Sequence, residues 1–391
     1  MYVRNIDALI LYGNDTGYGR GNALFRYVTH FCDAHGAWGL FPIDGECMVL
    51  SGPKHMHVPF SRHKALENWV SDIRPDYGID YLISEIKARG LEKSRIGLVS
   101  TPASSVSSDL MPHTPMLRLA KELPDAEFVD ANPVLVDMRL IKSEEEIGFL
   151  YKAAELARRK VEAMINGVHT GRTEADVYAD MLASDIRNGG EPQLFNLMAS
   201  GNVYDNDPGY KCMLHGAAQP VSPTMRTLRD GDLVITEFHS QYGGYMSGCE
   251  FSVFLGKPPK ELERIQRVAM ECLDQAISVI KPGVTLREAW TAIRKPIADN
   301  NMDWLELGFH GHGICSPEFP NGCVYREEDA RSSQVGDAVF LENMIVCTNI
   351  DIHDPNWRKD VGVMYGDMFH ITKEGVKQMI GIPREFVCNR E

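Results

Sequence analysis

Few features of this 391-residue sequence point to a membrane, a nucleic acid or a disulfide framework. The 40 Lys and Arg residues are outnumbered by 54 Asp and Glu, and the net charge of −14 argues against nucleic-acid and anionic-membrane surfaces. The nine cysteines include no Cys-x-x-Cys pair, which favours reduced, mostly buried thiols. The apolar run at residues 8–12 is too short for a signal sequence or a membrane span. We therefore expect a cytoplasmic protein.

The length and the order of the periodic segments predict two α/β domains. A chain of 391 residues exceeds a typical single core. Strand and helix patterns alternate up to about residue 132, which is typical of a small mixed-sheet domain. A capping box follows, with Ser143 three residues before Glu146, and it predicts the start of a long helix. We place the two domains at residues 1–132 and 133–391.

The second domain contains one helix–turn–helix pattern twice, which predicts an internal duplication. The first copy runs to about residue 186, with Thr173 as a helix cap, and the second covers residues 264–300. Strand patterns occupy residues 232–239 and 245–255, and again residues 338–352 and 362–372. In the first strand, alternation places Glu237 and His239 on one face.

Seven short motifs in the second domain resemble those of the pita-bread enzymes, the family of creatinase, prolidase and aminopeptidase P. They are RLIKSEEEI at 139–147, GRTE at 171–174, GDLVI at 231–235, GY at 244–245, KPG at 281–283, GHGI at 311–314 and ITKEG at 371–375. The resemblance implies an N-terminal creatinase/prolidase-type domain and a C-terminal pita-bread domain with a curved antiparallel sheet. It also implies a homodimer in which the N-terminal domain of one subunit lies near the active site of the other.

In the peptidases of that family, five side chains bind two metal ions: Asp, Asp, His, Glu and Glu. The resemblance places these positions on Glu237, Gly248, His312, Asn349 and Gly366. A pair of divalent ions needs several carboxylates to balance its charge, and glycine has no side chain to offer. We therefore expect a metal-independent protein without a cofactor.

A rebuilt site for one ion is the alternative to a metal-free protein. Alternation along the strands could place four side chains on one face: Glu237, His239, His312 and Asp351. Three or four such ligands can hold one Zn or Fe ion.

Creatinase, a member that works without metal, is the closer resemblance at one hairpin. Gly244-Tyr245, Gly248 and Glu250 match its register, and alternation places Gly248 and Glu250 on one face. His215, in the segment before the first carboxylate strand, matches the position of its general acid/base, and an imidazole can move a proton either way near neutral pH. The predicted catalytic residues are His215, Glu250, Glu237 and His312; the predicted substrate-binding residues are His239, Asn349, Asp351, His310 and Tyr245.

These observations lead us to expect a metal-independent, creatinase-like hydrolase that cleaves a C–N bond in a small polar metabolite. Three alternatives remain at this stage. The first is a lyase, metal-independent or with one metal ion, that cleaves a C–C, C–O or C–S bond. The others are a Xaa-Pro metallopeptidase and a non-catalytic binding protein that uses the same cavity.

Overall fold

The computed structural model describes residues 1–13, 23–30, 36–51, 69–75, 78–99, 112–193, 195–205, 223–316, 318–321, 336–358 and 360–389. The chain divides into two compact units, Met1–Arg139 and Leu140–Glu391. No helix in these ranges is long and apolar enough to cross a membrane.

The first unit is built around a six-stranded mixed sheet. Its strands are β1 (Ala8–Gly13), β2 (Ala37–Pro42), β3 (Met48–Ser51), β4 (Asp72–Arg74), β5 (Arg95–Val99) and β6 (Glu127–Asp130), in the order β4-β3-β2-β1-β5-β6. The β1–β2 and β2–β3 pairs are antiparallel, and the other three pairs are parallel. Its helices are α1 (Ala23–Thr29), α2 (Ile79–Ala88), α3 (His113–Glu122) and α4 (Asn132–Leu140), after a 3-10 turn at Tyr2–Arg4.

Both faces of this sheet are apolar because alternate residues of each strand point to opposite sides. Leu9 and Leu11 belong to one hydrophobic cluster, whereas Ala8 and Ile10 belong to another. A sheet that is covered on both faces agrees with the β–α alternation in the sequence.

The second unit carries two pairs of helices, each begun by sequence signals. Helices α5 (Glu144–Gly167) and α6 (Glu174–Arg187) form the first pair, and α7 (Lys260–Val279) and α8 (Leu286–Asp299) form the second. The Ser143–Glu146 capping box is present at the start of α5, and Thr173 caps α6 in the same way. Both predicted helix starts are confirmed.

The strands of this unit form two sheets. One has the order β16-β9-β8-β7, from β7 (Asn196–Asn202), β8 (Asp232–Tyr242), β9 (Tyr245–Leu255) and β16 (Cys388–Asn389). The other has the order β11-β10-β12-β14-β15, from β10 (Asp303–Gly311), β11 (Glu318–Asn321), β12 (Ile345–His353), β14 (Met368–Thr372) and β15 (Gly375–Gln378), and β13 (Gly362–Tyr365) also pairs with β12. One hydrophobic core packs against both sheets and all four helices.

Residues 362–372, which the alternation pattern suggests as one strand, are two strands separated at Gly366 and Asp367. Gly366 pairs with Glu250 of the other sheet. The Asp367 carboxylate accepts backbone N–H groups of Met368, Gly381 and Ile382 at 2.7, 3.0 and 3.2 Å. These contacts, which join distant parts of the chain, interrupt the strand.

The two helix pairs repeat each other in detail. Gly171 and Gly283, with φ of 88° and 94°, turn the chain between the helices, where a residue without Cβ is favoured. Two residues later, Thr173 and Thr285 each form a capping box and each pair with a later segment through an isolated bridge. The repeated geometry supports the internal duplication expected from the sequence.

Candidate active site

A polar row follows one face of the β8–β9 hairpin. Glu237 lies opposite Glu250, and His239 lies opposite Gly248, so all four share a face as the alternation predicted. The residues between them, Phe238 and Cys249, are buried in the apolar core. Polar residues that face inward between apolar neighbours mark this hairpin as one wall of a site.

The β10–β12 pair carries a second polar row. Glu306 lies opposite Asp351, Gly308 opposite Asn349, and His310 opposite Cys347. The five residues of this row that carry polar side chains or a thiol are all buried. Three of them were predicted to be site residues, whereas Glu306 and Cys347 were not.

The two walls join at Glu250. Its backbone pairs with Gly366, and its Oε1 accepts a hydrogen bond of 2.8 Å from Asn349 Nδ2. The backbone N–H of Ile350 lies 3.4 Å from Oε2. Glu250 therefore belongs to the first wall and is held by the second.

Four carboxyl groups interact where the walls meet. Burial raises the pKa of Glu250 well above its ordinary value, and the carboxylates of Asp351, Glu237 and Glu306 raise it further. Burial, and then Glu237, also raises the pKa of Asp351. A carboxyl group that keeps its proton near neutral pH can act as a general acid, so this cluster can transfer protons.

Three histidines occupy the other end of the site. Ser316 Oγ lies 3.3 Å from His239 Nε2 and 3.1 Å from His312 Nε2, so one hydroxyl links the two rings. Phe195 stacks on His239 with ring centroids 4.4 Å apart. The His310 and His312 centroids are 4.6 Å apart. Ser316 gave no strand or motif signal, because it lies in a turn after the Gly-His-Gly motif.

Eight of the nine predicted site residues are in the described part of the chain; six of them lie in the two polar rows, and His312 directly follows β10. His215 is outside the described residues. Tyr245, the first residue of β9, is three positions from Gly248 and therefore points to the opposite face of the strand. Its ring stacks on Phe149, and its hydroxyl donates a hydrogen bond of 3.1 Å to Glu146 Oε1. The structure therefore places Tyr245 against α5 and not with the polar rows. The chemical roles of the nine residues stay predictions.

The five positions of the two-metal arrangement do not fit two ions in this chain. A Cβ at Gly248 would lie 2.6 Å from His312 Cε1 and 2.7 Å from its Nε2. A Cβ at Gly366 would lie 2.5 Å from the backbone oxygen of Thr348. The space for two of the carboxylates is thus filled by an imidazole and by main chain.

The structure also corrects the alternative set of ligands for one ion, Glu237, His239, His312 and Asp351. Within the described residues, the metal-binding side chains that come together are His310, His312 and Cys347, whose ligand atoms lie within 4.8 Å of one another. The alternation along each strand predicts which face a side chain is on, and it put the four predicted ligands on common faces. It does not predict the distance between strands of different sheets.

Comparison with known proteins settles the family. The model of metallopeptidase family M24 matches residues 149–373, which contain all but the first turn of the two helix pairs and both walls of the site. The chain belongs to this family. It is 29% identical over 363 residues to a Xaa-Pro dipeptidase of Pyrococcus horikoshii, covering 90% of this chain and 89% of the relative. A Xaa-Pro dipeptidase of Pyrococcus furiosus is also 29% identical, over 67% of this chain and 69% of the relative.

Solved structures of M24 proteins have the same fold. The prolidase from Pyrococcus horikoshii superposes with a TM-score of 0.76 at 24% identity, covering 99% of this chain and 97% of that one. The X-Pro aminopeptidase from Thermotoga maritima gives a TM-score of 0.75 at 18% identity, with 98% of both chains covered. The expected α/β architecture, an N-terminal domain followed by a pita-bread domain, is confirmed.

The family match corrects the expected function. An M24 hydrolase is confirmed as the class of enzyme, but the expected creatinase-like cleavage of a metabolite is wrong, since the relatives over most of the chain are named dipeptidases. The family is one of metallopeptidases, so the expectation of no metal is also wrong. The error came from treating five positions as the whole ligand supply, although neighbouring positions of the same strands carry other donors. The lyase alternative has no support among these relatives, and the homodimer stays a prediction.

Proposed function

We propose that this M24 protein hydrolyses small peptides and that dipeptides with proline in second position are its substrates. The observation that carries the proposal is the 29% identity to a Xaa-Pro dipeptidase over 90% of the chain. The two polar walls lie within the segment that matches the family. The expected site and the family relationship therefore concern the same residues.

The charge of the site suits a dipeptide. A free dipeptide carries a positive α-amino group, and a carboxylate at the edge of the cluster of four carboxyl groups, such as Glu237, provides negative charge for it. Glu237 is the least buried of the four, so it is the first carboxylate that an entering ammonium group would meet.

Hydrolysis of a Xaa-Pro bond requires a proton for the leaving nitrogen. Water adds its oxygen to the carbonyl carbon, the C–N bond breaks, and the proline nitrogen takes up a proton. The raised pKa of Glu250 favours the protonated form of a carboxyl group that Asn349 holds in place. We assign Glu250 the role of the proton donor in this step.

The proposal is tested by incubating the purified full chain with Leu-Pro and Met-Pro and measuring released proline by mass spectrometry. Parallel reactions contain added Zn²⁺, Mn²⁺ or Co²⁺, no added metal, or a chelator. Pro-Leu and Leu-Leu serve as peptides of the same size without the Xaa-Pro bond. We expect proline release from the first pair and much less cleavage of the second.

Glu250→Gln should lower kcat by about 10²–10⁴-fold, because it removes the proton and keeps the shape of the side chain. Glu374→Gln, at an exposed turn after β14, is the matched control and should leave kcat unchanged. Failure to release proline under every metal condition would overturn the proposal, and an unchanged kcat in Glu250→Gln would remove the assigned role.

A further inference from the structure

We infer that one zinc ion binds between His310, His312 and Cys347, a set of ligands that shares only His312 with the five positions of the two-metal peptidases. The three side chains are buried, and one ligand atom of each lies within 4.8 Å of the others. Donor atoms around tetrahedral zinc are about 3.5 Å apart, so shifts of less than about 1 Å per side chain close the shell.

The backbone brings these residues together. His310 and Cys347 are register partners on adjacent antiparallel strands and therefore point to the same face. His312 follows two residues after His310, and its backbone N–H is bound to Ile345 O at 2.9 Å, which keeps it beside β12. The set thus lies on two paired strands and not on a mobile surface loop, which is the kind of support a precise metal site needs.

Hydrogen bonds to the main chain set both imidazole tautomers. Nδ1 of His310 lies 3.3 Å from Gly311 O, and Nδ1 of His312 lies 3.3 Å from Met246 O. A carbonyl oxygen only accepts, so these two contacts place the hydrogen on Nδ1 and the lone pair on Nε2. In His312 that lone pair faces Ser316 Oγ at 3.1 Å, so a zinc ion would replace this hydrogen bond. This arrangement is typical of metal-binding histidines, whose second nitrogen donates to a backbone or carboxylate oxygen.

Gly248 allows the sulfur and the imidazole to approach. The point where its Cβ would stand is 2.7 Å from His312 Nε2 and 3.4 Å from Cys347 Sγ. An aspartate at this position would displace the ring. The same glycine that removes one carboxylate from the two-metal arrangement therefore leaves room for a thiolate and an imidazole side by side.

The donor set favours a metal ion. The main-chain oxygen of Gly248 lies 3.4 Å from Cys347 Sγ, so the sulfur faces the hairpin that carries Glu237 and Glu250. One sulfur and two imidazole nitrogens are donors that zinc prefers, and three protein ligands leave a fourth position for water or substrate oxygen.

The test measures metal in the resting protein, so its outcome is independent of whether Xaa-Pro dipeptides are cleaved. The purified full chain is loaded with Zn²⁺, dialysed, and analysed by plasma mass spectrometry. We expect about one zinc per chain. Replacement by Co²⁺ should give the near-ultraviolet charge-transfer band of a thiolate–cobalt bond.

Cys347→Ser should abolish that band and reduce retained zinc at least about tenfold, as expected for loss of a metal ligand. Cys272→Ser, which changes a buried thiol within α7, is the matched control and should retain both. If Cys347→Ser does not fold, X-ray absorption spectroscopy of the zinc-loaded wild type is measured instead, and it should show a sulfur atom about 2.3 Å from the zinc. A zinc shell without sulfur, or no retained zinc, would overturn the inference.

Discussion

Asn349 donates a hydrogen bond of 2.8 Å to Glu250 and so connects a strand of each sheet of the second unit. The two residues are 99 positions apart in the chain. Both are buried, and each satisfies part of the other's hydrogen-bonding capacity. This contact, together with the Glu250–Gly366 bridge, determines how the two polar walls face each other.

Asn349→Ala should lower the free energy of unfolding by about 1–3 kcal/mol, because it leaves a buried carboxyl oxygen without that donor. Chemical denaturation followed by circular dichroism measures the change. Asn356→Ala, at an exposed position after β12, is the control and should change stability by less than about 0.5 kcal/mol. Equal effects of the two substitutions would show that the Asn349 contact contributes nothing specific.

Glu250→Gln should make the protein less sensitive to pH. In the unfolded chain the carboxyl ionises near its ordinary pKa of 4.5, whereas in the folded protein its pKa is well above that value. As pH rises above about 4.5, the unfolded wild type releases a proton that the folded state keeps, so wild-type stability falls. Melting temperatures between pH 4 and pH 8 should show a growing advantage of Glu250→Gln; parallel curves would contradict the raised pKa.

Gly366→Ala should destabilise the protein by about 1–3 kcal/mol, because the new Cβ would stand 2.5 Å from Thr348 O, a main-chain atom that cannot rotate away. Gly148→Ala is the paired control, since Gly148 is exposed within α5 and a Cβ there meets nothing within 4 Å. Because alanine has a higher helix propensity than glycine, Gly148→Ala should stabilise the protein by about 0.5–1 kcal/mol. Thermal unfolding of both variants decides, and a neutral Gly366→Ala would refute the steric argument.

Lys160→Met should cost about 3–5 kcal/mol, since it removes one partner of a buried ion pair whose Lys160 Nζ–Asp185 Oδ2 distance is 2.6 Å. Among the described residues, the Ser240 hydroxyl would then remain as a hydrogen-bond donor to the Asp185 carboxylate, at 2.8 Å. The double variant Lys160→Met/Asp185→Leu should be more stable than the single one. If the free-energy changes of the two single variants simply add up to that of the double variant, the two charges do not interact.

Strand parity and helix capping could be predicted from the sequence because both depend on neighbours along the chain. The shared face of Glu237, His239, Gly248 and Glu250 follows from alternation within one hairpin, and the capping box at Ser143 from residues three apart. These local rules gave the first wall of the site and the helix pairs. They also supported the duplication.

Contacts between distant segments could not be predicted in this way. Cys347 lies opposite His310 through a pairing whose register depends on the whole sheet. From the sequence, Gly366 indicates that a metal-binding carboxylate is missing at this position. The sequence does not indicate that the backbone oxygen of Thr348 fills the space. The creatinase-like hypothesis failed for another reason: it rested on a few positions that lost donors, whereas the similarity to a dipeptidase extends over 90% of the chain.

The duplication also has a consequence for the history of the chain. The Gly171–Thr173 turn and its counterpart at Gly283–Thr285 each belong to a unit with two helices and one polar ribbon. One such unit alone would present half of the pocket, with Glu250 lacking Asn349. An ancestor with a single copy would therefore have needed a second molecule to complete its pocket.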